Sequence, residues 1–289
     1  MTVIAVNGLL KTQQQWAQPT QGAPLTRVLI LNLMPTKLTT ERQFLTQFAH
    51  LTTDVEVTFM YPVSHHFKSI PRATVAENYV TLTDIAAQHF DGLIVTGAPV
   101  EQLPFEAVDY WSEFQTIIDW AQTHVTQTLF ECWAAQAGLY AQFKIKKQLV
   151  AQKVFGIYTA TAVDQASQLV TGLSAGGLLK MPQSRQSRLD LPHHLPADLQ
   201  VVATNRQVGP LILTAATKHA VYVTGHPEYE TDTLANEYFR DRRKHRPINL
   251  PQHYFVDQSL KQVRNSWQAA SGQFYQNWLE TLKLTKVGL

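Results

Sequence analysis

Hydrophobic positions along the chain fall into short unbroken runs, separated by segments in which they recur every three or four residues. Five runs rich in Val, Ile and Leu read as parallel strands buried on both faces: Arg27 to Leu33, Gly92 to Thr96, Thr128 to Glu131, Pro210 to Thr214 and Ala220 to Thr224. Behind the polar pair Thr39-Thr40, the spacing of Glu41, Phe44, Leu45 and Phe48 predicts a helix. Trp111, Phe114, Ile117, Ile118 and Ala121 predict another before the third run. Strand alternating with helix predicts an α/β sheet. Trp267, Phe274, Tyr275, Trp278 and Leu279 suit a packed helix in a C-terminal extension over about 256–289. The stretch 158–199, with Gly172, Gly176, Gly177, Pro182, Pro192 and Pro196, is the least regular and reads as an excursion that shapes a substrate pocket. No repeat, linker or low-complexity tract divides the chain, so residues 1–289 are expected to form a single domain.

Composition narrows the function classes. A content of 45% hydrophobic and 16% charged residues supports a substantial core. Net charge is +2, and the one basic run, Arg240 to Arg246, is interrupted by Asp241, which argues against a nucleic-acid partner. A single cysteine excludes an internal disulfide, suits a reducing compartment and leaves one thiol for chemistry. The N-terminal residues Met1 to Asn7 lack a basic, then apolar, leader, and no apolar run reaches the ~18 residues of a membrane span. The expectation is a cytoplasmic protein with no membrane partner.

In such sheets ligands bind beyond the carboxyl ends of the strands, and the unusual segments of this chain lie there. Strand Thr128–Glu131 followed by helix Ala134–Gln142 places Cys132 at a sharp turn, a nucleophile elbow. The helix dipole at that position favours the reactive thiolate. A lone cysteine is otherwise a small packed hydrophobe; the elbow context argues for chemistry. In His226-Pro227-Glu228 the first and third side chains of an extended backbone share a face, so Glu228 can orient His226 as a base. For a developing oxyanion, the backbone N–H of Trp133 and one from the Gly97-Ala98 loop, that of Ala98, are the candidate donors. Gly97 reads equally well as an ordinary turn glycine.

The spacing Cys-x-Ala-x-Gln, with His-Pro-Glu much later, resembles the class I glutamine amidotransferase fold, a doubly wound, mostly parallel α/β sheet. Five segments together resemble the homoserine O-acyltransferase family of the transsuccinylase type: Leu31 to Pro35, Gly92 to Glu101, Pro104 to Trp111, Cys132-Trp133 and Gly225 to Tyr229. The resemblance runs from about Arg27 to the C-terminus, through Tyr238 to Asp241 and Asn277 to Leu279. It implies ping-pong transfer in which Cys132 carries an acyl thioester, with His226 and Glu228 as its partners. It implies substrate binding by Lys153, Ser184 and Arg240, no bound cofactor or metal, and a homodimer. Relatives with glutamate at the position of Glu101 use acetyl-CoA, and those with glycine use succinyl-CoA. A carboxylate there would repel a succinyl group, so acetyl-CoA is the expected co-substrate.

The acceptor side departs from the family pattern. Pro182-Gln183-Ser184-Arg185 stands where Pro-His-Ser-Arg is usual, Ala175-Gly176-Gly177 replaces a common Asp-Asp, and Thr159-Ala160 replaces a Glu-His pair. Serine and homoserine differ by one methylene, worth about 1–3 kcal/mol of discrimination. The drift favours L-serine and cysteine biosynthesis over L-homoserine and methionine biosynthesis. A glutamine amidohydrolase with the same triad is the rival from another class.

Overall fold

The computed structural model describes residues 2–16, 25–173 and 178–287. In chain order it runs β1 (Val3–Ala5), β2 (Thr26–Leu31), α1 (Lys37–Ala49), β3 (Val55–Met60), α2 (Arg72–Asn78), α3 (Leu82–Ile85), β4 (Phe90–Val95), α4 (Trp111–His124), β5 (Val125–Glu131) and α5 (Trp133–Phe143). It continues with β6 (Lys146–Thr159), β7 (Ala162–Val163), β8 (Lys180–Asp190), β9 (Leu199–Asn205), β10 (Gly209–Ala215), β11 (Ala220–Val223), α6 (Thr233–Arg243) and α7 (Gln268–Val287).

Nine of these strands form one sheet in the order β1-β3-β2-β4-β5-β11-β10-β9-β7. Every pair from β1 to β11 is parallel. The far edge is antiparallel. That corrects the expectation for Pro210–Thr214: only Ala216 to His219 separate β10 from β11, and a parallel return needs a crossover of a dozen or more residues.

The central strands are apolar along most of their length because helices cover both faces. Val28, Ile30, Leu129 and Val223 point to the layer of α1 and α7, where Phe44 and Phe48 pack edge-on against Tyr275. Leu29, Leu31, Phe130 and Tyr222 point to the layer of α4 and α5, built on Phe114, Ile117 and Leu139. This period of two is the strand pleat at work, and each fully buried side chain of this size contributes about 1.5–3 kcal/mol. Strand β3 was not expected, since Glu56 and Thr58 break its apolar run; Glu56 meets Arg27 at 3.3 Å.

Strands β6 and β8 leave the main sheet as an antiparallel pair of their own. The stretch 158–199 is therefore not irregular: it holds the eleven-residue β8. Its pattern reads as polar because Gln183, Arg185 and Ser187 face inward as a hydrogen-bonded set. Gly176 and Gly177 lie outside the described residues. The C-terminal helix begins at Gln268 and not near 256; the residues before it form a loop ending in the buried Trp267, whose indole N–H donates to the Tyr229 carbonyl at 3.0 Å. The last two residues of the expected extension lie outside the described range.

Candidate active site

β5 ends at Glu131 and α5 starts at Trp133, so one residue makes the whole reversal. That residue, Cys132, has φ +50° and ψ −113°, a region an L-residue occupies only when its surroundings impose it. Its N–H donates to Val223 O at 2.8 Å, fixing the turn to β11. Small residues bring α5 close to the sheet: a Cβ on Gly138 would stand 3.2 Å from both Phe130 and Tyr222. The sharp turn holds the buried thiol at the carboxyl end of the sheet.

His226 follows β11, the strand beside β5, and arrives opposite Cys132. Its Nδ1 lies 2.8 Å from Glu228 Oε1, with both side chains almost fully buried. The ring lies within electrostatic reach of the Cys132 sulfur, and it stacks on Tyr229 at 4.1 Å and 17°. Burial alone lowers the pKa of this imidazole, but the Cys132 sulfur and the Glu228 carboxylate outweigh it and raise the group well above its usual range. The three triad candidates are thus brought together. Gly97, at the end of β4, is part of the same place: a Cβ there would be 3.2 Å from both Cys132 Cβ and His226 Cε1. Ala98 and Trp133, the two residues whose N–H groups are candidate oxyanion donors, are both buried.

A second cluster forms beside the triad. Glu237 of α6 accepts from Lys153 Nζ of β6 at 3.0 Å, Ser184 Oγ of β8 at 2.5 Å and Tyr229 OH at 2.7 Å. Burial opposes ionisation of Glu237, yet Lys153, Ser184 and Tyr229 together keep its pKa below the ordinary value. The structure therefore joins Lys153 and Ser184 through a carboxylate that sequence reasoning missed. The available signal was Glu237 one turn before Arg240 on one helix face. Arg240 itself is half-exposed and bonds Asp241 at 2.8 Å, so it stands beside this cluster and not within it. Tyr229 links the two groups, stacking on His226 while donating to Glu237.

Glu101 lies in the turn after β4, where Lys147 Nζ donates to its carbonyl and to Leu103 O at 2.7 Å. Burial lowers the Lys147 ammonium to about 8 against the pull of Glu101. Arg185 is another unforeseen residue. It is 2% exposed and bonded to Gln183, Ser187 O and Val208 O; burial lowers its pKa to about 10 against the pull of nearby Cys132. Among the described residues, no group of three or more His, Cys, Asp or Glu is arranged to hold a metal, and no helix is long and apolar enough to cross a membrane.

Comparison with known proteins bears on this geometry. The family described as homoserine O-succinyltransferase matches residues 2–286. A homoserine O-acetyltransferase of Lactococcus lactis subsp. lactis (strain IL1403) is 41% identical over 255 residues, 87% of this chain and 78% of that protein. One of Streptococcus pneumoniae serotype 4 (strain ATCC BAA-334 / TIGR4) is 38% identical over 256 residues, 88% of this chain and 81% of that protein. Among solved structures, a glutamine amidotransferase of Thermotoga maritima superposes with a TM-score of 0.58 at 12% identity, over 90% of this chain and 99% of that one, which shows the fold.

These relatives favour homoserine over the serine expected from the acceptor motif, and cysteine biosynthesis has no support. The structure shows where two of the departures from the family pattern lie. Gln183, where the family pattern has histidine, is fully buried and accepts from Arg185 at 2.9 Å, so it braces the strand. Thr159 and Ala160 lie where β6 turns toward β7. The change at Ala175-Gly176-Gly177 lies outside the described residues.

Proposed function

Because the chain belongs to the homoserine O-succinyltransferase family, we propose that it transfers an acetyl group from acetyl-CoA to the side-chain hydroxyl of L-homoserine, a step of methionine biosynthesis. It is an enzyme, an acyltransferase. The observation that carries the mechanism is the strained Cys132 set beside a His226 that Glu228 holds at 2.8 Å, both packed against Gly97. His226 takes the thiol proton and the sulfur attacks the acetyl carbonyl. The N–H groups of Trp133 and Ala98 receive the oxyanion. CoA leaves as its thiol with the proton from His226, which gives the acetyl-Cys132 thioester. His226 next takes the proton of the acceptor hydroxyl; the alkoxide attacks the thioester, and Cys132 regains the proton as the ester departs.

Glu101 in the turn after β4 supports acetyl over succinyl, since its carboxylate would oppose the free carboxylate of a succinyl group. For the acceptor, Glu237 suits the ammonium, and Lys153 and Arg240 suit the carboxylate, with Ser184 fixing Glu237. The whole chain acts as one acyltransferase domain on small molecules, with its single thiol suited to a reducing cytoplasm. Intact-mass measurement after incubation with acetyl-CoA tests the reading. One acetyl group is expected on the wild type and none on Cys132→Ala, and L-homoserine should discharge it faster than L-serine. No adduct, faster charging by succinyl-CoA or faster discharge by serine would each overturn the corresponding part.

A further inference from the structure

Strand β5 ends in a glutamate that the chemistry above does not use. Glu131 is 0% exposed, points toward α7, and accepts a hydrogen bond from Tyr275 OH at 2.6 Å through Oε1. Among the described residues no Lys, Arg or His forms an ion pair with it. The carboxyl in hydrogen-bonding reach is that of Glu228, whose Oε1 is already taken by His226. Each of the two carboxyls is left with one oxygen, Oε2, that is buried and has no donor. Two ionised carboxylates in contact, buried, with two acceptor atoms unsatisfied, would be strongly unfavourable. One proton between them removes both faults at once.

We propose that Glu131 is a neutral acid that donates its proton to Glu228, so that a shared proton between two buried carboxyls fixes the group that orients His226. Glu131 is then a positioning residue. Tyr275 on α7 holds Glu131, Glu131 holds Glu228 Oε2, and Glu228 aims its other oxygen, Oε1, at His226 Nδ1. Burial first, and then the neighbouring Glu228 charge, keep the Glu131 carboxyl well above the ordinary carboxylate range, consistent with this geometry. A neutral donor also draws charge from Glu228, which leaves the imidazolium proton on His226 for the leaving thiol.

The kinetic half of this inference rests on Cys132, His226 and Glu228 acting as the triad; the spectroscopic half does not. At mildly alkaline pH, where an ordinary glutamate is ionised, the wild type is expected to show the infrared C=O stretch of a buried protonated carboxylic acid. The band should vanish in Glu131→Gln and move in Tyr275→Phe, which keeps the assignment open to test if the first variant does not fold. In Glu131→Gln the amide donates to Glu228 and accepts from Tyr275, so kcat/KM should stay within about threefold. In Glu131→Leu the orphaned carboxylate and phenol should lower kcat/KM about ten- to a hundredfold. A wild-type spectrum without a band that responds to these changes, or a Glu131→Gln loss equal to that of Glu131→Leu, overturns the proposal. If the band is present but acetyl-CoA leaves no thioester, the shared proton stands and the triad reading fails.

Discussion

Adding one methyl group at Gly97 should reduce activity far more than it reduces stability. Gly97 does not have a positive φ, so backbone conformation is not what requires glycine here. Space is. The new Cβ would stand 3.2 Å from Cys132 Cβ and from His226 Cε1 and 3.8 Å from Cys132 Sγ, where carbon atoms prefer about 3.5–4.0 Å. Neither neighbour yields easily: Cys132 is tied by its N–H to Val223, and the imidazole is clamped between Glu228 and Tyr229. Overpacking of this kind costs about 1–3 kcal/mol, which for a domain of this size lowers Tm by about 2–6 °C. Catalysis is less tolerant, since a misplacement of about 1 Å can cost a hundredfold. A displacement of a few tenths of an ångström at both reacting groups should thus cost about tenfold or more in kcat/KM for acetyl-CoA. Burst measurement of thioester formation, beside a thermal melt, checks this. A Gly97→Ala enzyme within twofold of wild type would refute the placement of this glycine against the reacting atoms.

Three further outcomes follow from the same geometry. Glu228→Gln should lower kcat/KM by about 10²–10⁴ through loss of the oriented base. The folded His226 pKa lies above its unfolded value of about 6.5, so its stabilisation is complete below that value and is lost as pH rises through the folded pKa; Glu228→Gln should move this alkaline loss, read from melts across pH, to lower pH. Glu237→Gln should slow discharge of the thioester by the amino acid about ten- to a hundredfold while leaving its formation from acetyl-CoA unchanged, as single-turnover kinetics would reveal. Its folded pKa is depressed, so its stabilisation is present above about 4.3 and lost as pH falls through the folded value, a loss absent from the variant. Glu101→Gly should raise the succinyl-CoA to acetyl-CoA ratio of kcat/KM by about tenfold or more; an unchanged ratio would remove Glu101 from donor selection.

The central parallel strands β2, β4, β5 and β11 were legible because helices on both faces leave apolar runs, whereas β1 and β3 were not, and the elbow was legible because strand, cysteine and small-residue helix adjoin in the chain. What escaped notice was polar and buried. Strand β8 carries Gln183, Arg185 and Ser187 inward, so hydropathy reported a loop where hydrogen bonds support a strand. Glu131 closes an apolar run in the sequence, and only its full burial sets it apart from an ordinary strand-end glutamate. Glu237 draws its meaning from Lys153 and Ser184, which lie 84 and 53 positions away. Such pairings exist only after folding.

The segment Pro182 to Arg185 has an evolutionary consequence. The Pro182 carbonyl receives the backbone N–H of His226 at 2.9 Å, and a Cβ on Gly225 would come within 2.5 Å of the Gln183 amide. Ser184, on the same strand, reaches Glu237, while Arg185 is buried within electrostatic reach of Cys132. This segment of β8 therefore contacts the backbone of Gly225 and His226 on one side and the Glu237 cluster on the other. On the proposed roles of His226 and Glu237, a lineage exploring new alcohols through this strand would disturb the proposed base with each step, so new acceptor preferences should arise as linked sets of substitutions, with compensating changes near Gly225, and not through single replacements.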